Sequence, residues 1–231
     1  MPAQRAAIEE GLGGTPKRLA KGESLFEEGE EVDSFYKVVS GCLRTARFLA
    51  DGQRQIDAFH FRGDIVGLEF GRKHRSVAQA VSASSVIAYR RGQLNRSPEI
   101  DQAVRDQAIN GALRSLERAQ NHILLLGRKS IAERIAAFLL EMSERIAGGA
   151  DEFSLPMERA DIADHVGTST ETVSRVLTRF SRLGLMRMRN YYSITLCNRS
   201  ALVLLIRHPE AKVIARSVRP LTERRAGAGL G

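Results

Sequence analysis

The segment Thr168-Ser169-Thr170-Glu171-Thr172-Val173-Ser174-Arg175 gathers side chains that can tell one base pair from another. An arginine presents two parallel donors that match guanine O6 and N7, a carboxylate accepts from cytosine N4, and a hydroxyl serves either partner. Glu171 and Arg175 stand one helical turn apart, so a helix points both the same way with Ser174 beside them. At this spacing the pair can equally be a surface ion pair, which stabilises little. The residues around it decide for base reading.

Two short helices around a tight turn position these groups. Ile162, Ala163 and Val166 form the inward stripe of the first helix, and Gly167 can take the positive φ that a Cβ resists. Thr168 or Ser169 can cap the second helix, Glu171 lies near its positive end, and Val173, Val176 and Leu177 make its buried face. Thr170, Glu171, Ser174 and Arg175 then point outward. In this register Arg175 is expected to read guanine, Glu171 to accept from cytosine and constrain Arg175, and Ser174 to meet a neighbouring base. Thr168, Ser169, Thr170, Arg179, Arg182, Arg187 and Arg189 are candidates for backbone contacts, with Arg199 in the same basic cluster. Two β-prone arms around Arg189-Asn190 read as a wing.

Composition agrees with a nucleic-acid partner. Lys and Arg total 35 against 27 Asp and Glu, a formal charge of +8 that favours phosphate. The longest apolar stretches, around residues 123–126 and 201–206, fall far short of the roughly 20 residues that cross a membrane. Glu9 and Glu10 stand where a signal peptide has its apolar core, which predicts a cytoplasmic protein. The only cysteines, Cys42 and Cys197, are too few for a metal cage or disulfide framework and are expected to be buried or inert. No nucleophile, base and orienter share a motif, so no enzyme is expected.

Upstream, Gly29, Gly41, Gly52 and Gly63 punctuate short β-prone stretches, which predicts a rolled antiparallel sheet. The pattern then changes to a heptad: Ile109, Leu116 and Ile123 are each followed three residues later by Ala112, Ala119 and Leu126. That seam predicts a helix paired with its own copy, with Leu113 and Leu124 left to face the roll. Gly127 is read as the hinge. A second helix buries Ile131, Ile135, Phe138 and Leu139 and ends at Gly148-Gly149. The expected organisation is an α+β chain. It has an arm over 1–16, a β-roll over 17–99, a dimerisation helix over 100–127, a winged helix-turn-helix over 128–199 and an extension over 200–231, disordered from Arg224.

Over about residues 18–199 the chain resembles the family of the cyclic-AMP receptor protein and the fumarate-nitrate reduction regulator. The most specific parts are the run from Ile123 to Phe138 and Glu171-x-x-Ser174-Arg175. The resemblance implies a β-roll (jelly roll) of the cyclic-nucleotide-binding type, a long dimer helix and a winged helix. It also implies a homodimer with double-stranded DNA and RNA polymerase as partners. In the fumarate-nitrate branch, Glu, Ser and Arg at this spacing read an inverted repeat of the TTGAT…ATCAA kind. Thr170 stands where the cyclic-AMP receptor protein has a further reading Arg, which disfavours that branch's half-site.

The sensing half departs from the pattern. Cyclic-nucleotide binders hold the ribose with a Gly-Glu pair and clamp the phosphate with an Arg. Here Gly63-Asp64 offers a shorter carboxylate, and alignment puts His74 at the clamp with Arg75 one place late, on the opposite face of a strand. An iron–sulfur cluster needs about four thiolates. A lone His60 does not make a metal site. No cofactor is therefore expected, and Gly67-Leu68-Glu69-Phe70-Gly71 resembles the FixK branch, whose members are controlled through their synthesis. The alternatives are a ligand-gated regulator of the same fold, and a protein-docking module with weak DNA binding.

Overall fold

The structure is a computed structural model that describes residues 14–69, 71–92, 100–128 and 130–207. The first thirteen residues of the expected arm, Phe70 and the end expected to be disordered lie outside them.

Short alternating segments separated by turns build the roll from two antiparallel sheets. One contains β1 (Thr15–Leu19), β8 (Ser84–Arg90), β3 (Ser34–Ser40) and β6 (Ile65–Val66), in that spatial order. The other contains β2 (Ser24–Phe26), β7 (Val77–Ala80), β4 (Leu43–Phe48) and β5 (Arg54–His60). Leu25, Val38, Leu43, Ala78 and Val86 meet between the sheets as one buried cluster. The first strand begins at Thr15, inside the stretch expected to be an arm. Both outer faces of the roll are also covered. Phe35, Ile65, Ile87 and Tyr89 pack under Ala108 of the long helix, and Ile56 and Phe59 join the core of the C-terminal head.

The long helix α1 (Ile100–Arg128) runs unbroken through Gly127, so Gly127 does not interrupt it; α2 (Ile131–Ala147) starts after the Ser130 cap, whose Oγ accepts from the Glu133 N–H. Gly111 lets α1 lie directly on the roll. A Cβ there would sit 2.5 Å from Ile65 Cγ1, far inside van der Waals contact.

Along α1 the residues of the expected seam, Ile109, Leu116 and Ile123 among them, are exposed on the protomer except Leu126, while the two leucines expected to face the roll, Leu113 and Leu124, are exposed as well. Ala112, exposed too, borders a cavity of about 300 Å³ at the roll. Ala119 lines one of about 710 Å³ between the roll, α1 and α2. Leu126 is half-buried, its Cδ2 3.5 Å from where a Cβ on Gly167 would be. The close seat of Gly111 fixes the rotation of α1: Ala112 and Ala119 stay exposed at the rims of these cavities, and Leu126 turns partly inward.

The head follows. Strand β9 (Glu152–Ser154) leads to α3 (Arg159–Val166), α4 (Thr170–Arg182), β10 (Met186–Met188), β11 (Ser193–Leu196) and α5 (Arg199–Arg207). Ile135, Leu139, Val166, Val173, Leu177, Phe180, Ile194 and Leu202 share its core.

Candidate nucleic-acid interface

Local chemistry sets the turn between α3 and α4. Glu158 and Asp161 close a capping box at the start of α3, which ends at Gly167 with φ 69°, a value that favours glycine. Ser169, not Thr168, caps α4: its Oγ accepts from the Thr172 N–H at 3.2 Å. Arg134 holds the corner from behind, donating to Leu126 O at 2.7 Å and to Val166 O at 3.0 Å.

Helix α4 buries Val173, Leu177 and Phe180 and turns its other side to solvent. Glu171 and Arg175 are 78% and 70% exposed in their side chains, with Arg175 Nε 3.9 Å from Glu171 Oε1. Arg175 Nη2 also donates to Thr172 Oγ1 at 3.4 Å, a weak contact. Ser174 stands half-buried beside them, its carbonyl taken by Thr178 Oγ1. Pairing this long in water costs little to exchange for a base edge. Thr168 is half-buried, Ser169 and Thr170 are exposed at the helix start, and Arg179 and Arg182 are exposed along its flank. Arg187 and Arg189 are exposed on the wing, and none of these four arginines makes an ion pair with a described residue.

Arg199 departs from expectation. It lies within reach of Glu144 and of Asp151 and donates to Ser143 Oγ at 2.8 Å, closing α5 onto the end of α2 rather than facing a phosphate. Sequence reasoning passed over Tyr191 and Tyr192 at the wing tip, where Asn190 Oδ1 accepts from the N–H groups of Tyr192 and Ser193. Both rings are exposed, and Arg159 lies 4.7 Å over Tyr191. Two exposed aromatics in a basic hairpin were the available signal.

The roll and head meet through polar groups that no local pattern announces. Asp161, only 6% exposed in its side chain, lies within hydrogen-bonding reach of Arg44 of β4 and receives Arg54 of β5 at 2.7 Å. Arg54 also donates to Asp164 at 2.7 Å, and Arg44 reaches Gln79. Burial lowers the Arg44 pKa, and Asp161 opposes that shift. One turn on, His165 Nδ1 lies 3.1 Å from Ile56 O.

The expected effector pocket is rearranged. Its 300 Å³ cavity is lined by Gly67, Glu69, Arg75 and Ser76 among others, while Gly63, Asp64 and His74 do not line it. His74 is buried, stacked 3.6 Å from the Phe26 ring, with Nδ1 3.0 Å from Glu69 Oε1. Thus Arg75, not His74, faces the cavity, with its own N–H given to Glu69 Oε2. Residues 75 and 76 form a bend before β7, so the opposite-face expectation for a strand does not apply to Arg75. Asp64 belongs to another contact, between Arg118 of α1 and Arg145 of α2. Cys42 is buried, which pushes its thiol up to about 12, whereas Cys197 is exposed. His60 is buried with Nε2 3.0 Å from Thr45 Oγ1. Among the described residues no three His, Cys, Asp or Glu side chains form a metal-binding group, and no helix is long and apolar enough to cross a membrane.

A roll seated on a long helix, followed by a winged head with a free reading face, defines a DNA-binding regulator of transcription. Residues 16–97 match the cyclic nucleotide-binding domain and residues 133–205 the Crp-like helix-turn-helix domain. The nitrogen fixation regulation protein FixK of Rhizobium meliloti is 37% identical over 78% of this chain and 82% of its own length. The fumarate and nitrate reduction regulatory protein of Escherichia coli is 34% identical over 83% of this chain and 78% of its own. The structure of FixK2 from Bradyrhizobium japonicum superposes with a TM-score of 0.77 at 40% identity, covering 83% of this chain and 96% of that one. The chain belongs to the family of the cyclic-AMP receptor protein and the fumarate-nitrate reduction regulator, and within it is of the FixK type.

Proposed function

We propose that this chain acts in the cytoplasm as a homodimer that sets two α4 helices in successive major grooves of an inverted repeat of the TTGAT…ATCAA kind. Arg175 reads guanine, Glu171 accepts from cytosine and steadies Arg175, and Ser174 meets a neighbouring base. Thr168, Ser169, Thr170, Arg179, Arg182, Arg187 and Arg189 serve the phosphates. RNA polymerase is the second macromolecular partner. The observation that carries this reading is the free face of α4, where Glu171 and Arg175 are held only by a long mutual contact and a weak bond from Arg175 to Thr172. The exposed row Ile109, Leu113, Leu116 and Ile123 supports pairing of α1 with its copy. Selection of duplexes from a random pool, using protein purified without added ligand, tests it. Enrichment of the inverted repeat supports the reading, and an unenriched pool refutes it.

One observation favours a second reading, an effector-gated regulator. Arg75 with Glu69 and Ser76 lines a cavity at the roll, so the guanidinium that could meet an anion is in place. Calorimetry with a panel of cyclic nucleotides, followed by titration of the selected duplex, separates the two readings. Heat of binding that vanishes in Arg75→Ala, together with a changed DNA affinity, would establish gating.

A further inference from the structure

The head hangs from α1 by a short joint: α1 ends at Arg128 and α2 begins at Ile131. Arg134, bonded to Leu126 O and Val166 O, stiffens that corner. A body held at one corner can still swing about it, and a second point of fixation removes that freedom. Roll and head already share Ile56 and Phe59 in one core and the Arg145–Asp64 contact, and a polar cluster adds a directional hold on α3 itself. Arg44 and Arg54, from neighbouring strands of the roll, converge on Asp161 in the first turn of α3, and Arg54 continues to Asp164. Two guanidiniums face two carboxylates, so the cluster is charge-balanced, and Gln79 takes a further Arg44 donor. Apolar groups of similar shape would give as much stability; what a buried, directional cluster supplies is one orientation. Helix α3 carries that orientation through the Gly167 turn directly to α4.

We infer that Arg44, Arg54 and Asp161 are positioning residues that fix the reading helix relative to α1 and thereby set the half-site spacing the dimer accepts. This inference rests on the DNA-reading dimer proposed above. In such a dimer each head meets its half-site by its own contacts, and the distance and angle between heads decide whether both engage together. One inserted base pair turns the far half-site by about 35° and moves it about 3.4 Å. A clasped head resists that movement, and one without the Arg44 and Arg54 bonds follows it more readily.

The test uses the full chain and three duplex types: the selected palindrome, the same palindrome with one base pair inserted or deleted at its centre, and a single half-site. The variants Arg44→Gln, Arg54→Gln and their double lie on the roll and leave the reading face untouched. Wild type is expected to favour the parent spacing by about tenfold or more. The double variant is expected to lose about tenfold on the parent palindrome and to bind the respaced duplexes nearly as well, while its half-site affinity stays within about twofold of wild type. Loss of affinity without loss of spacing preference would overturn the inference, as would tighter binding to the parent site. Where circular dichroism shows the double variant unfolded, Arg54→Gln is read instead, because it leaves Asp161 paired with Arg44. Wild type that binds none of the duplexes refutes the DNA-reading dimer itself, a result distinct from retained spacing selectivity in the variants.

Discussion

Arg145 Nη2 of the second helix lies 2.6 Å from Asp64 Oδ2 of the roll, joining parts of the chain that the long helix separates in sequence. Burial disfavours the charged carboxylate, but Arg145, the Phe61 N–H and Arg118 outweigh it and hold Asp64 below its ordinary pKa. Replacing Arg145 by Met should destabilise the fold by about 1 to 3 kcal/mol at pH 7, because it leaves a largely buried carboxylate with only Arg118 and the Phe61 N–H. A carboxylate with a depressed folded pKa contributes stability above its ordinary value of 3.8 and loses it as pH falls through the folded value. The gap between wild type and variant in urea unfolding should therefore shrink toward pH 3. A gap that does not change with pH would remove Asp64 from the account.

Histidines set a second, earlier acid response. Burial pushes His60 down to about 4 and His165 to about 3, and lowers His122, so all three are neutral in the folded protein at pH 7. Unfolded, each titrates near 6.5, so between about pH 6.5 and 5 the unfolded chain binds more protons and stability falls with pH. The melting temperature should drop across that window, with a shallower slope for His165→Gln. A flat profile above pH 5 would contradict the burial of these rings.

On the reading face, Arg175→Ala should cost about 1 to 3 kcal/mol on the matched duplex and flatten base preference, whereas Arg182→Ala should weaken all sequences alike and reduce the salt slope by about one. Titrations on matched and scrambled duplexes at several salt concentrations distinguish these outcomes. Equal losses on both duplexes for Arg175→Ala would exclude it from base reading.

Along α1, Leu113→Glu should convert the dimer to monomer in sedimentation velocity at micromolar concentration. Ala119→Glu, at the rim of the protomer's own cavity and off the exposed leucine row, should weaken association less. The reverse result would centre the seam on Ala119, beside Leu116 and Ile123, rather than on Leu113.

The parts most legible in sequence were those whose signals are local. Gly167, the cap at Ser169 and the buried Val173 and Leu177 report on one another within a few residues, and the structure shows the same turn and face. The regular glycines likewise announced the roll. What escaped was set at long range. The contact of Arg44 with Asp161 joins residues 117 apart in the chain, and no local periodicity encodes it. Arg75 lies in a bend before β7 rather than in a strand, so the two-residue alternation used to place its side chain does not hold there. Arg199 looked like its basic neighbours until α5 docked it against Glu144.

Gly111 pressed against Ile65 gives α1 a fixed phase as well as a fixed place. Each residue of an α-helix advances the chain by about 1.5 Å and rotates it by about 100°. A single codon gained or lost between Gly111 and Arg128 would swing the whole head to another side of the molecule. Substitutions can tune this segment gradually, but its length is a discrete setting that drift cannot adjust in small steps.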